Sequence, residues 1–386
     1  MRIGIEANSL KNEAGTGVLT RHLIQELRAR GHEVIEFAHD LSSTGPARRS
    51  SAQRWMNGLR QVFWTQVTVP LAAARRRIDV LLCPAYVGPL LSPAPVVVMV
   101  LDLTFLIEPH TGDRLYMRYL RRLVPALVSR ARRVVTISQS AAAEIARLLP
   151  AAAGKIDVAY PGPGEFSPHP DPPPQAGEGD LQGPHPDPPH AANPATLMTE
   201  GERDFKYILM VGTLEPRKNY PRAIQAFQIF RERGFADWRL LIVGGRGWAD
   251  LNLETDVDRL GLVEAVRFMG RAPAATLATL YRDAQLLFYP SLYEGFGFPI
   301  LEAMTAGCPV VTSDRSSMAE VADGAAELVD PLDPQAMAAG LAAVAGNPAR
   351  CAELVAAGSR RAADFSWERF GGSVERALTA TRPRRG

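Results

Sequence analysis

Short apolar runs alternate with amphipathic stretches on both sides of a proline-rich interruption, and this rhythm restricts the chain to very few folds. In the N-terminal half Ile3-Gly-Ile5, Val34-Ile-Glu-Phe37, Val80-Leu-Leu-Cys83, Val96-Val-Val-Met-Val100 and Val134-Val-Thr-Ile137 read as strands. Val18 to Arg30 reads as a helix with Leu19, Leu23 and Leu27 on one face and Gly31 as its stop. The pattern resumes at Tyr207-Ile-Leu-Met-Val211, Leu240-Leu-Ile-Val243 and Val266-Arg-Phe-Met269. Strand and helix in strict alternation return each strand to the sheet by a crossover, which makes the sheet parallel. The expected fold class is α/β, with two doubly wound, Rossmann-like domains.

Between the halves, Ser167 to Pro194 holds ten prolines in 28 residues and repeats Pro-His-Pro-Asp-Pro-Pro at 168–173 and 184–189. Two copies without an apolar face cannot stack a core, so the segment reads as an extended inter-domain insertion rather than a solenoid. The domains expected are 1–166, the insertion 167–200, and 201–365. The amphipathic tail from Phe365, with its aromatic start, reads as a final helix over about 366–386 that packs back toward the first domain.

At 386 residues the chain is long enough for two cores. No apolar run reaches the roughly 18 to 20 residues of a membrane span. Met1-Arg-Ile-Gly-Ile-Glu6 reads as a strand rather than a signal peptide. The cysteines, Cys83, Cys308 and Cys351, are scattered and lack metal-ligand spacing, which points to a reducing, cytoplasmic setting. Net charge is +2, but residues 1–165 carry 21 Lys+Arg against 13 Asp+Glu and the rest 22 against 28. Arginines cluster in 47–60, at Arg75-Arg-Arg77 and from Arg114 to Arg133. Interleaved with Trp55, Met56, Leu59, Phe63 and Trp64, they suit either a solvated helix face or an anionic membrane surface.

The chemistry concentrates at Tyr293-Glu-Gly-Phe-Gly-Phe-Pro-Ile-Leu-Glu302, where Glu294 and Glu302 bracket a glycine- and proline-marked turn. Gln285-Leu-Leu-Phe-Tyr289 reads as a strand before it, Pro299 suits a first helical turn, Gly307 a helix stop, and Val310-Val311 a further strand. A loop that ends at a helix N-terminus favours an anion such as phosphate. A carboxylate accepts two O–H donors at once and so suits a vicinal diol, although Glu302 could equally cap the helix and Glu294 be a solvated charge. Met210-Val-Gly-Thr-Leu-Glu-Pro-Arg-Lys-Asn219 ends another strand in Arg217 and Lys218, cations able to hold a diphosphate at the carboxyl end of a parallel strand. Asn219 reads as the cap of the following helix. In the first domain Gly15 and Gly17 open a helix and allow close backbone approach to a phosphate or sugar. Thr20 occupies the third position of a dinucleotide fingerprint, which is therefore incomplete. Asp256 and Asp258 lie in what reads as a solvated helix, and no metal site is expected.

Together these motifs resemble the retaining glycosyltransferases of family 4, built on the two-domain GT-B fold. The resemblance rests on Glu294-x7-Glu302 with Gly-Phe-Gly-Phe-Pro between, Val211-Gly-Thr-Leu-Glu-Pro-Arg-Lys-Asn219, Val266-Arg-Phe-Met-Gly270 and Ala306-Gly-Cys-Pro-Val-Val311. It implies two Rossmann-like domains facing across a cleft and transfer of a hexose from a nucleotide-sugar with retention, without a metal or other cofactor. It further implies that Lys218 and Arg217 hold the donor diphosphate, that Glu302 binds the ribose diol and that Glu294 faces the transferred sugar. Backbone groups of Gly297, Phe298, Pro299 and Ile300 would meet sugar and phosphate, and Phe268-Met269-Gly270 would edge the base. Thr213 would join the donor site, where some relatives carry a phosphate-binding arginine. Leu101 stands where the family commonly has a histidine, before Asp102. The motifs lean toward bacterial polysaccharide mannosyltransferases and GDP-mannose. The implied partners are that donor and a glycan or lipid-linked acceptor, with no nucleic acid, and the implied location is the cytoplasm at the inner face of the membrane. A nucleotide-sugar epimerase on a similar architecture and a non-catalytic two-domain sugar-binding protein are the rival readings.

Overall fold

A computed structural model describes residues 1–11, 15–39, 58–107, 114–164, 205–247, 249 and 251–381. The proline-rich insertion and most of the first arginine cluster lie outside the described residues. The chain divides into two compact units, one running to Gly162 and resuming at Phe365, the other running from Pro163 to Asp364.

The first unit holds a six-stranded parallel sheet in the order β2-β1-β3-β4-β5-β6. Its strands are β1 (Arg2–Glu6), β2 (Glu33–Phe37), β3 (Val80–Cys83), β4 (Val96–Met99), β5 (Arg133–Thr136) and β6 (Ile156–Val158). Register is set by apolar residues, with Ile3 opposite both Val34 and Val80. β3 is buried along its whole length, as a strand covered on both faces must be, and this is why it reads as an unbroken apolar run. Helix α1 (Gly15–Ala29) follows β1 and buries Leu19, Leu23 and Leu27. A helical run over 58–76, here α2, leads into β3 and contains a wider turn at Trp64–Thr68, where the Val69 N–H reaches back to the Trp64 carbonyl. Pro70 has no N–H to return to Gln66, which accounts for the break in the α ladder there. Helices α3 (Arg114–Arg130) and α4 (Gln139–Leu148) flank β5, with Ser138 capping α4 through the Ala141 N–H at 3.0 Å.

The second unit repeats the plan as β12-β11-β10-β7-β8-β9, again all parallel. The strands are β7 (Tyr207–Val211), β8 (Arg239–Val243), β9 (Val266–Gly270), β10 (Leu286–Tyr289), β11 (Val310–Ser313) and β12 (Glu327–Val329). Between them run α5 (Tyr220–Glu232), α6 (Leu253–Arg259), α7 (Ala274–Asp283), α8 (Phe298–Thr305) and α9 (Ser316–Ala322), followed by α10 (Pro334–Ala345) and α11 (Pro348–Ala362). Tyr220, Phe227, Phe230, Trp238 and Phe288 form the aromatic part of its core. The final helix, α12 (Trp367–Thr379), packs on α1, β5 and β6 of the first unit. Among the described residues no helix is long and apolar enough to cross a membrane.

Candidate active site

The second unit brings its motif residues together where β7 and β10 end. Gly212 follows β7 with φ of +148°, and a methyl there would stand 3.0 Å from Lys218 Cε, so glycine serves both the backbone turn and the lysine stem. The single turn Pro216–Lys218 follows. Asn219 occupies the cap position of α5 but has φ of +64° and no capping bond. Its amide nitrogen instead donates to the carbonyls of Pro290 at 3.1 Å and Pro331 at 2.6 Å. The expected cap is therefore a staple, tying the cationic turn to the loops after β10 and β12. Tyr220 reinforces it by donating to the Gly212 carbonyl at 2.6 Å, and the Leu292 N–H donates to the Arg217 carbonyl at 2.7 Å.

Glu294 sits in the loop after β10, and both cations close on it. Arg217 Nη1 lies 2.5 Å from Oε2 and Lys218 Nζ 2.6 Å from Oε1. Arg217 also reaches Glu215 at 3.0 Å. Glu294 is only 8% exposed, so it is a buried member of a charge cluster and not a solvated loop charge. Burial pushes its carboxyl up, but Lys218 and Arg217 pull it further down, to about 2. Burial also lowers the Lys218 ammonium, against the opposing pull of Glu294. The two cations meet Glu294 and, through Arg217, Glu215, and each Glu294 carboxylate oxygen keeps acceptor capacity for a hydroxyl.

The glutamate loop is held from α9. Ser316, itself at φ of +54°, donates from Oγ to the Glu294 carbonyl at 2.7 Å and lies 3.4 Å from its N–H. Ser317 Oγ shares the carbonyls of Glu294 and Phe296 at 2.9 and 2.8 Å. Neither serine stands out in the sequence, because the contacts link residues more than 20 positions apart. Gly297, at φ of +107°, then turns the chain into α8.

Glu302 lies on the second turn of α8, not at its cap, and accepts the Tyr281 hydroxyl at 2.8 Å. Burial pushes its carboxyl up to about 7, more than the Tyr281 bond and the Lys218 charge pull it down. Its other oxygen abuts Gly164, where any Cβ would collide with it. The two glutamates are thus shifted in opposite directions, Glu294 below the ordinary carboxyl range and Glu302 above it.

The remaining predicted residues are placed less evenly. Thr213 is exposed beside the cationic turn. Phe298 and Pro299 are half-buried in the first turn of α8. Ile300 is fully buried and its N–H is spent on the Gly297 carbonyl at 3.0 Å, so neither its side chain nor its amide is offered to a ligand. Met269 is 4% exposed, in β9. Gly15 and Gly17 belong to the first unit, at the start of α1, with Gly15 exposed and Gly17 buried. Leu101, just past β4, is buried, and Asp102 accepts the Thr104 N–H at 3.0 Å. Asp256 on α6 pairs with Arg259 at 3.0 Å. Among the described residues no group of three or more His, Cys, Asp or Glu side chains gathers as metal ligands do.

Residues 14–162 match the model of glycosyltransferase family 4, and residues 199–376 match that of the group 1 glycosyl transferases. Over 162 residues the chain is 39% identical to O-antigen chain mannosyltransferase B of Escherichia coli, covering 42% of each chain. Over 215 residues it is 28% identical to O-antigen chain mannosyltransferase RfbU of Salmonella typhimurium, covering 56% of this chain and 51% of that one. These matches span about half the length of the curated relatives. Among solved structures, sucrose-phosphate synthase of Thermosynechococcus elongatus superposes with a TM-score of 0.72 at 18% identity, over 99% of this chain and all of that one. WaaG, a glycosyltransferase of lipopolysaccharide biosynthesis, superposes with a TM-score of 0.65 at 16% identity over the whole of both chains. At these identities the structures speak for the fold alone. With one family match on each unit, the chain is a family 4-like glycosyltransferase of the GT-B fold, resembling the bacterial mannosyltransferases.

Proposed function

We propose that the chain transfers a hexose, with mannose from GDP-mannose favoured, to a glycan or lipid-linked acceptor in cell-surface polysaccharide synthesis, with retention of anomeric configuration. The observation that carries this reading is the Arg217–Lys218–Glu294 cluster: two adjacent cations, held by the fold at the end of a parallel strand, converge on one buried carboxylate. Such a cluster binds a diphosphate and stabilises the charge that grows on it as the glycosidic bond breaks. Arg217 supplies a guanidinium and Lys218 a point charge, and these fixed cations take the part a metal would play. Glu294 accepts hydroxyls of the transferred sugar, Glu302 accepts the ribose diol, and Gly297, Phe298 and Thr213 line the donor's path. The mannosyltransferase relatives support the sugar. The Anabaena protein HepE, of similar fold, binds UDP and glucose, so UDP-glucose belongs among the donors tried.

The test is a panel of nucleotide-sugars offered with and without glycan acceptors, with the product anomer assigned by NMR. Acceptor-dependent turnover and a retained anomer are expected. Donor conversion without acceptor would favour the epimerase, binding without turnover a sugar-binding protein, and an inverted product would end the retaining assignment. Lys218→Ala is expected to lower kcat by at least about a hundredfold while leaving the melting temperature within a few degrees, since it removes charge stabilisation that matters most in the transition state.

We further propose peripheral contact with an anionic bilayer at the inner face of the cell membrane, through α2. Leu59, Phe63, Val67 and Leu71 are exposed at four-residue spacing along it, while Trp64, Val69 and Ala73 face the core. The exposed Arg60, Arg75, Arg76 and Arg77 flank that apolar row, the charge pattern of an interfacial helix.

A further inference from the structure

The Lys218 ammonium has a second oxygen partner that none of the motifs includes. Tyr289, the last residue of β10, is 3% exposed, and its phenol oxygen accepts from Lys218 Nζ at 2.5 Å. The same ammonium lies 4.6 Å from the Tyr289 ring centroid. Burial holds the phenol pKa well above its ordinary value, with Glu294 adding to the effect, so the hydroxyl stays protonated. The strand end is itself fixed, because Thr312 Oγ1 on the neighbouring β11 donates to the Tyr289 carbonyl at 2.8 Å. Of the three N–H donors of Lys218 one goes to the phenol, while the ammonium is ion-paired with Glu294 at 2.6 Å, which leaves donor capacity for a phosphate oxygen.

From this geometry we infer that Tyr289 is a positioning residue for the transfer reaction, fixing the Lys218 ammonium against Glu294 so that a remaining donor meets the leaving diphosphate already oriented. The inference rests on the reading of Lys218 as the cation at the diphosphate. A lysine alone is a point charge on four rotatable bonds and must be ordered as charge develops on the substrate. One held by a carboxylate, a phenol oxygen and a ring face is ordered beforehand, and that ordering acts on the transition state more than on ground-state binding. The sequence shows Tyr289 only as a strand residue, since its partner is 71 positions away.

The experiment is a double-mutant cycle of Tyr289→Phe and Lys218→Ala, with kcat and KM measured for whichever donor the panel accepts. Tyr289→Phe keeps the ring and removes the oxygen. It is expected to lower kcat about tenfold, to leave donor KM within about twofold, and to cause no further loss when Lys218 is already alanine. Additive losses in the two backgrounds, or a Tyr289→Phe variant with wild-type kcat, would overturn the positioning role while leaving the glycosyltransferase reading in place. A Lys218→Ala variant with wild-type kcat would instead remove the reading on which the role rests. A readout that needs no turnover completes the test. The Lys218 ammonium, followed by NMR, is expected to exchange its protons with water several-fold faster in Tyr289→Phe, and an unchanged exchange rate refutes the inference.

Discussion

At the residue scale the site divides its acids by environment. Glu294 is drawn down by two cations, whereas Glu302, half-buried against Tyr281, is pushed up to about 7. A carboxyl whose folded pKa is raised stabilises the fold fully below its ordinary value of 4.5, and that contribution is lost as pH climbs toward 7. Ligand binding runs the other way, because a ribose diol needs the ionised acceptor. Affinity for the nucleoside diphosphate is therefore expected to rise from about pH 6 to pH 8, and Glu302→Gln to bind more weakly at pH 8 and flatten the rise. Calorimetry at several pH values checks this, and a variant whose profile runs parallel to wild type would remove Glu302 from the ribose. Gly164 makes a second case: alanine there collides with the Glu302 carboxylate, so Gly164→Ala is expected to weaken nucleotide binding with little change in melting temperature. Glu294, Glu302, Arg217 and Lys218 were legible because a local motif carries each of them. Tyr281, Tyr289, Ser316 and Gly164 were not, because each matters through a partner far along the chain.

At the scale of elements, periodicity exposed the long buried strands and α1, whose apolar patterns are complete within themselves. It passed over β6 and β12, three residues each at a sheet edge, where half-burial erases the pattern. Asn219 takes the cap position its residue type suggested, but its side chain donates to carbonyls instead of capping, and only the fold decides between them. On α2 the apolar row read from the sequence is split by the structure, with Trp64 turned inward and Phe63 left 63% exposed. The wider turn at Trp64–Thr68 helps to keep Leu59, Phe63, Val67 and Leu71 in one row, where a regular helix would let a four-residue spacing drift. Phe63→Ser together with Leu71→Ser is expected to cut binding to anionic vesicles by about tenfold or more without lowering stability, as neither side chain is in the core. Vesicle co-sedimentation measures it, with neutral vesicles and high salt as controls. Binding that survives both substitutions would place the membrane contact away from α2.

At the scale of the molecule, the chain ends in the unit where it began. After the second unit closes at Asp364, α12 returns to the first and lies on α1, β5 and β6. The approach is close: a methyl on Gly371 would lie 2.5 Å from Glu26 Cβ, so two helices meet where the sequence puts a glycine in mid-helix. Trp367 stacks on His22 at 4.1 Å, Glu375 meets His32 at 2.8 Å and Arg30 at 3.4 Å, and Arg30 donates to the Glu368 carbonyl at 2.6 Å. Phe370, Val374 and Leu378 are fully buried. Burying each such side chain stabilises by roughly 1.5 to 3 kcal/mol, so three of them amount to a large part of the about 5 to 15 kcal/mol of a whole domain. The Arg30–Glu375 ion pair is partly exposed and contributes far less. The first unit therefore depends on residues placed at the far end of the sequence, beyond the whole of the second. Phe370→Ala is expected to destabilise by about 3 to 5 kcal/mol through the cavity it leaves. The loss is expected to fall on the first unit, because the side chain packs there. Hydrogen exchange is the measurement that separates the units: amides of α1, β1, β5 and β6 are expected to lose protection while those of β7, β8 and β10 keep theirs. Equal loss in both sheets would mean that α12 supports the molecule as one cooperative body, and loss confined to the second would contradict the placement of the helix.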